Sequence, residues 1–156
     1  MGCLHERRKE FKQAISCFKQ CLLFDQSHFG ACIHLATQLA NTGEMQKAEK
    51  YFKHCIKLNP VSVPAHFGLG KILHQYGINH FSDALLHYKY VVDNDPQHFK
   101  AYCQIGLIYL ETQELERAAD YLKKCLKINS KYVVGMIAMG NLLFESGHAN
   151  TAAKYF

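Results

Sequence analysis

Ten histidines and seven cysteines in 156 residues raise the question of acid-base, thiol or metal chemistry. His74 and Lys71 share one helical face, as an acid and base pair would, but neither has a carboxylate at helical spacing within its own helix. No Gly-rich phosphate loop and no His-Glu-x-x-His pattern occurs, so neither catalysis nor a cofactor is expected of these residues. Cys17 and Cys21 lie one helical turn apart with His28 nearby, which is the beginning of a metal site. A structural zinc site takes four ligands, usually from two clusters, and no second cluster has matching spacing, so no metal is expected. Cys21, Cys55 and Cys125 instead recur at one equivalent position, as free thiols do when they fill a small apolar site between helices. An odd cysteine count without an independent disulfide framework fits a reducing compartment. An intracellular, cytoplasmic setting is expected, with the nucleus or another intracellular structure left open.

The elements that would carry these side chains are written as a recurring spacing. In Ala31 to Pro60, Leu35, Ala36, Leu39, Gly43, Ala48, Phe52 and Cys55 form a unit whose parts recur along the chain. Ala14, Phe18 and Cys21 reappear 34 residues on as Ala48, Phe52 and Cys55, and Ala84 and Tyr88 reappear 34 residues on as Ala118 and Leu122. A fixed period of this size predicts stacked helix pairs. Glu10 to Phe24 has apolar residues at intervals of three and four, after a short helical stub over Gly2 to Arg7, so the chain is expected to begin inside a unit. Asp25 to Ser27 offers capping oxygens for a helix over His28 to Asn41, Gly43 ends that helix, and a second runs from Glu44 to Leu58 before Asn59-Pro60. The third unit, Val61 to Pro96, is two residues too long, and the extra pair falls in the turn Ile78 to His80. Ser130 replaces the closing proline of the fourth unit as a cap for the next helix, and the fifth breaks off at Lys154-Tyr155-Phe156. The expectation is one all-α domain of about nine helices without a sheet, with a partial repeat over 1–26, repeats at about 27–60, 61–96 and 97–130, and a partial repeat over 131–156.

These positions resemble the tetratricopeptide repeat. Leu69-Gly70, Ala84, Tyr88 and Pro96 match its signature, as do Tyr102, Ile105-Gly106, Tyr109 and Ala118, with small residues in register at Ala36, Gly70, Gly106 and Gly140. Cys32, His66, Tyr102 and Met136 stand where the family carries tryptophan. The resemblance implies an alpha-alpha superhelix, the middle segment of a longer array. It also implies a concave groove, lined by the first helix of each repeat, that binds peptides or extended segments. By register the groove-facing positions are Ile33, His34, Thr37 and Asn41, then Phe67, Lys71, His74 and Gln75. They continue as Cys103, Gln104 and Leu107, then Ile137, Asn141 and Glu145. The chaperone-binding members clamp a C-terminal carboxylate, but of Ile33, His34, Thr37, Lys100 and Gln104 at those positions only Lys100 keeps the charge. The asparagine ladder of the sugar-transferase repeats is absent too, with His34, Gly68, Gln104 and Ala138 on its rungs.

A formal charge of +5 invites nucleic acid as a partner. The lysines, however, follow the second helices, as in Lys47, Lys50, Lys53, Lys57, Lys123, Lys124 and Lys127, interleaved with Glu44, Glu49, Glu116 and Asp120. Nucleic acid is therefore not expected, and an anionic protein partner on the convex face fits better. No run reaches the apolar length of a membrane span, and Glu6 breaks the myristoylation pattern that Gly2 begins. The expected function is a non-catalytic protein-interaction scaffold within a multiprotein complex, or alternatively an accessory domain of an enzyme whose catalytic part lies outside this chain. Self-association through the terminal repeats is also expected, because Met139, Leu142, Leu143 and Phe156 would lie uncovered.

Overall fold

In the computed structural model, residues 2–148 and Ala152 are described, with side chains from Glu10 onward. The helices are α1 (Gly2–Phe24), α2 (Phe29–Asn41), α3 (Met45–Leu58), α4 (Val63–Gln75), α5 (Phe81–Asn94), α6 (Phe99–Glu111), α7 (Leu115–Ile128) and α8 (Val133–Glu145). A 3-10 turn over Ile78–His80 joins α4 to α5, and no strand occurs among the described residues. The chain divides into two compact units, Met1–Gln75 and Tyr76–Phe156, and the division falls beside the turn that holds the two extra residues.

In the first unit α1 packs on α2, α2 on α3 and α3 on α4, and α4 also reaches α2. The apolar stripe predicted at intervals of three and four is what is buried: Leu35, Ala36 and Leu39 of α2 meet Ala48, Phe52 and Cys55 of α3, all nearly inaccessible. The second unit repeats the scheme, with α6 on α7, α7 on α8 and α8 also on α6. Its core is built from Ile105, Ile108, Ala118, Leu122 and Cys125. The turn glycines Gly43, Gly77 and Gly147 all have positive φ, and Gln113 takes the same conformation at the equivalent place in the fourth repeat.

Four expectations are corrected. The stub and the helix after it are one continuous helix, because the residues between Arg7 and Glu10 are good helix formers with no glycine or proline to stop them. Ser130 is exposed and does not cap α8, whose N-cap residue is Tyr132. Met139 and Leu142 are each 4% exposed and Leu143 is half-buried, so these three are not the uncovered residues expected; Phe156 lies outside the described residues. Finally, the caps of α2 and α6 are histidines. His28 Nδ1 accepts from the Ala31 backbone N–H at 3.0 Å and His98 Nδ1 from that of Ala101 at 3.1 Å, while Ser62 Oγ does the same for Ala65 at 3.2 Å.

An imidazole nitrogen accepts a hydrogen bond only when it is unprotonated, so the His98 cap depends on pH. Burial lowers the His98 pKa below its ordinary 6.5, and Lys100 adds to this while Asp95 opposes it. The neutral ring is thus favoured in the folded state, and the contribution is complete above the unfolded-state value and lost as pH falls through the lower folded one. His98→Ala should cost about 1 kcal/mol at pH 8 and much less at pH 5. Urea midpoints of the two chains at each pH read the difference, and an equal cost at both would overturn the cap.

Candidate functional site

The candidate site is the outward face of the first helices. In the first unit Ile33, Thr37 and Asn41 are spaced by single turns along α2, and Phe67, Lys71, His74 and Gln75 follow the same face of α4, which packs beside it. Thr37, Asn41, Lys71 and Gln75 are exposed, and Ile33, Phe67 and His74 are half-buried. The Thr37 hydroxyl donates back to the Ile33 carbonyl at 2.8 Å, which occupies its hydrogen. His34 is exposed at one edge, where its ring stacks on Phe18 of α1 with centroids 5.5 Å apart and planes 17° from parallel. The equivalent position on α4 is Gly68, and a Cβ built there would lie 2.3 Å from the Phe52 ring of α3. This position therefore meets the aromatic residue of the preceding second helix.

In the second unit, Gln104 and Leu107 of α6 are half-buried, whereas Asn141 and Glu145 of α8 are exposed and Ile137 is 46% exposed. Cys103 is not on this face. It is fully buried and hydrogen-bonded to Cys125 of α7, so a partner in the groove cannot reach it. That hydrogen bond and burial together hold the Cys103 thiol far above its usual range. A similar pair lies in the first unit, where Cys55 Sγ donates to Cys32 Sγ at 2.8 Å and its pKa rises for the same reasons. The described cysteines are free, and the four paired ones are buried in the core.

Among the described residues, no three His, Cys, Asp or Glu side chains are grouped to hold a metal ion. Of the three residues that began a metal pattern, Cys17 is exposed, Cys21 is half-buried, and His28 Nδ1 is occupied by its cap. No helix among the described residues is long and apolar enough to cross a membrane.

Residues 1–28, 29–62 and 99–132 each match the tetratricopeptide repeat. The chain belongs to the tetratricopeptide repeat family. Anaphase-promoting complex subunit 3 of Schizosaccharomyces pombe is 23% identical over 124 residues, which make up 80% of this chain and 18% of that protein. A UDP-N-acetylglucosamine–peptide N-acetylglucosaminyltransferase of Giardia intestinalis is 26% identical over 119 residues, 76% of this chain and 8% of that enzyme. The chain thus spans less than a fifth of the length of either relative. The solved structure of MamA 41-end from Desulfovibrio magneticus RS-1 superposes with a TM-score of 0.84 at 23% identity, covering 96% of this chain and 84% of that one. This likeness carries the tetratricopeptide fold of paired helices. Tetratricopeptide repeats tolerate the missing tryptophan here because the substitutes still pack: Cys32 is fully buried and His66 nearly so, with His66 Nε2 3.0 Å from the Pro60 carbonyl.

Two features of the faces had no signal in the periodicity. The contact of Gly68 with Phe52 appears only once α3 and α4 are packed, although a glycine at a position that elsewhere carries a side chain was its trace in the sequence. The histidine caps had a clearer trace, since His28, Ser62 and His98 recur at the residue just before each first helix.

Proposed function

We propose that this chain is a non-catalytic interaction scaffold, one repeat array over residues 1–156 whose first-helix faces hold an extended segment of a partner protein. The observation that carries this reading is the chemistry of those faces. Asn41 and Gln75 in the first unit and Asn141 in the second are exposed and carry amides with both a donor and an acceptor, which is what an extended peptide backbone needs. Ile33 and Phe67 accompany the amides of the first unit, and Leu107 and Ile137 share the first-helix faces of the second, partly accessible, as apolar contacts for alternate side chains. Membership of a family whose repeats bind peptide segments supports the same reading, as does the match to a subunit of a multiprotein complex.

A peptide array probed with the chain selects a ligand, and variants then test the face. Lys71→Glu and Asn141→Ala are both exposed changes, and each should weaken binding by about tenfold while leaving the melting curve unchanged. Undiminished binding in both variants would place the ligand elsewhere. The match to a glycosyltransferase supports a second reading, in which these repeats present substrates to a catalytic segment in the same full-length protein. A catalytic domain joined to residues 1–156 in the full-length gene product would favour that reading.

A further inference from the structure

The second helices of the first unit carry a surface distinct from the faces just described. Two adjoining hollows of about 450 and 340 Å³ lie between α1 and α3, and share Lys19, Tyr51 and His54. Their floor is apolar, with Leu22 and Tyr51 packed on the core around Cys32 and Cys55. Leu23 stands beside them, 81% exposed. The rim is cationic: Lys19 from α1, with Lys47 and Lys50 from α3. Among the described residues, no carboxylate lines either hollow. Glu44 pairs with the rim residue Lys47 and also feels the charge of Lys19, and Glu49 pairs with Lys53, whereas Lys19 and Lys50 form no salt bridge among the described residues, so the rim keeps a net positive charge.

The corresponding hollow in the second unit, between α5 and α7, shows that this charge pattern is not a property of every second-helix surface. There Lys89 and Arg117 stand with Asp93 and Glu114, and Arg117 is paired to Glu114 while lying over the Tyr109 ring. That hollow is charge-balanced. The first is not.

From this we infer that the α1–α3 hollow docks an acidic segment of a partner protein, in which Asp and Glu flank one large apolar side chain. The apolar residue covers Leu22, Leu23 and Tyr51, and the carboxylates face Lys19 and Lys50. A protein segment fits better than nucleic acid for two reasons. The lining offers three lysines and no arginine, and so lacks the planar fork that grips phosphate in two places. It also offers a single tyrosine, where a single strand needs a succession of stacking rings. Unlike the proposed groove, this surface is formed by second helices, so either can fail without the other.

The test uses the whole 156-residue chain and three labelled probes. They are a peptide of Asp and Glu around one Leu, the same peptide with Asn and Gln for the acids, and a poly-uridine strand of similar charge. Binding is measured by fluorescence anisotropy at about 50 and 200 mM salt. The acidic peptide should bind, the neutral one should not, and the Lys19→Glu/Lys50→Glu variant should lose about tenfold or more at low salt. Leu23→Ser should weaken the acidic peptide severalfold without altering its salt dependence, which separates the apolar contact from simple charge attraction. Both lysines are exposed, and Lys19→Gln/Lys50→Gln serves as a milder pair should charge reversal disturb folding. Equal binding of acidic and neutral peptides, or no loss in either lysine pair, overturns the inference. So does tighter binding of poly-uridine than of the acidic peptide, which would make the hollow a nucleic-acid surface. Loss of groove-ligand binding in the lysine variants would show that the two surfaces are not separate, and would overturn it as well.

Discussion

Replacing Phe52 with alanine should lower the stability of the first unit by about 3–5 kcal/mol, a large share of the stability of a small domain. The ring is 3% exposed, and Gly68 on α4 lets it lie flush against the helix backbone. Truncation leaves a void between two rigid helices, and α4 cannot close it without losing its register on α3. Gly68→Ala probes the same contact from the other side, and its sign is informative. Helix propensity alone would make alanine better than glycine by up to about 1 kcal/mol. The new Cβ, however, would lie 2.3 Å from ring carbons that are themselves buried, so overpacking of about 1–3 kcal/mol should win. Because both changes act on one contact, the double variant Phe52→Leu/Gly68→Ala should cost less than the sum of its parts. Urea unfolding followed by circular dichroism measures each cost, and faster amide exchange in α4 should accompany the loss. A neutral or stabilising Gly68→Ala would mean that the ring does not lie on this glycine.

That contact marks where the sequence was legible and where it was not. The core was legible because burial in a helix pair imposes one pattern: Leu35, Leu39, Ala48 and Phe52 are positions of the recurring spacing, and all four are buried. The turn glycines were equally plain, because positive φ excludes most side chains, although Gln113 shows that the position admits another residue when the rest of the turn is kept. The first-helix faces were less so. Register assigned Cys103 to the groove because it aligns with Ile33 and Phe67, but its side chain is buried and hydrogen-bonded to Cys125 of α7. The caps His28 and His98 are hard to read in a sequence because cap signatures are written in side-chain oxygens, and an imidazole nitrogen serves as well when unprotonated. The long first helix is at odds with the repeat pattern, which asks for a turn near Arg7 where the local residues offer none. The division beside the inserted pair could not be read from periodicity, which resumes after it unchanged.

The second unit has its own close approach, and there the sequence did point to the residue. Gly106 is one of the small residues that recur in register, and a Cβ at that site would lie 2.8 Å from Leu122 Cγ, 2.9 Å from its Cδ2 and 3.4 Å from the Ala118 carbonyl. Two of these atoms belong to a side chain with no accessible surface and the third to the α7 backbone, so little can yield. Gly106→Ala should therefore destabilise by about 1–3 kcal/mol, and Gly106→Leu by about 3 kcal/mol or more, because its further carbons enter filled space. Leu122→Ala alone should cost about 2–5 kcal/mol through the cavity it opens. Together, Gly106→Leu and Leu122→Ala exchange volume across the interface, and the pair should be more stable than either cost alone would allow. Additive losses in the double variant would mean that α6 and α7 are not in contact at this glycine. The effect should extend to the proposed function, since Gln104 and Leu107 lie on either side of Gly106 on α6. Prying α6 from α7 displaces that face, so Gly106→Ala should weaken a groove ligand although Gly106 itself is buried beneath it.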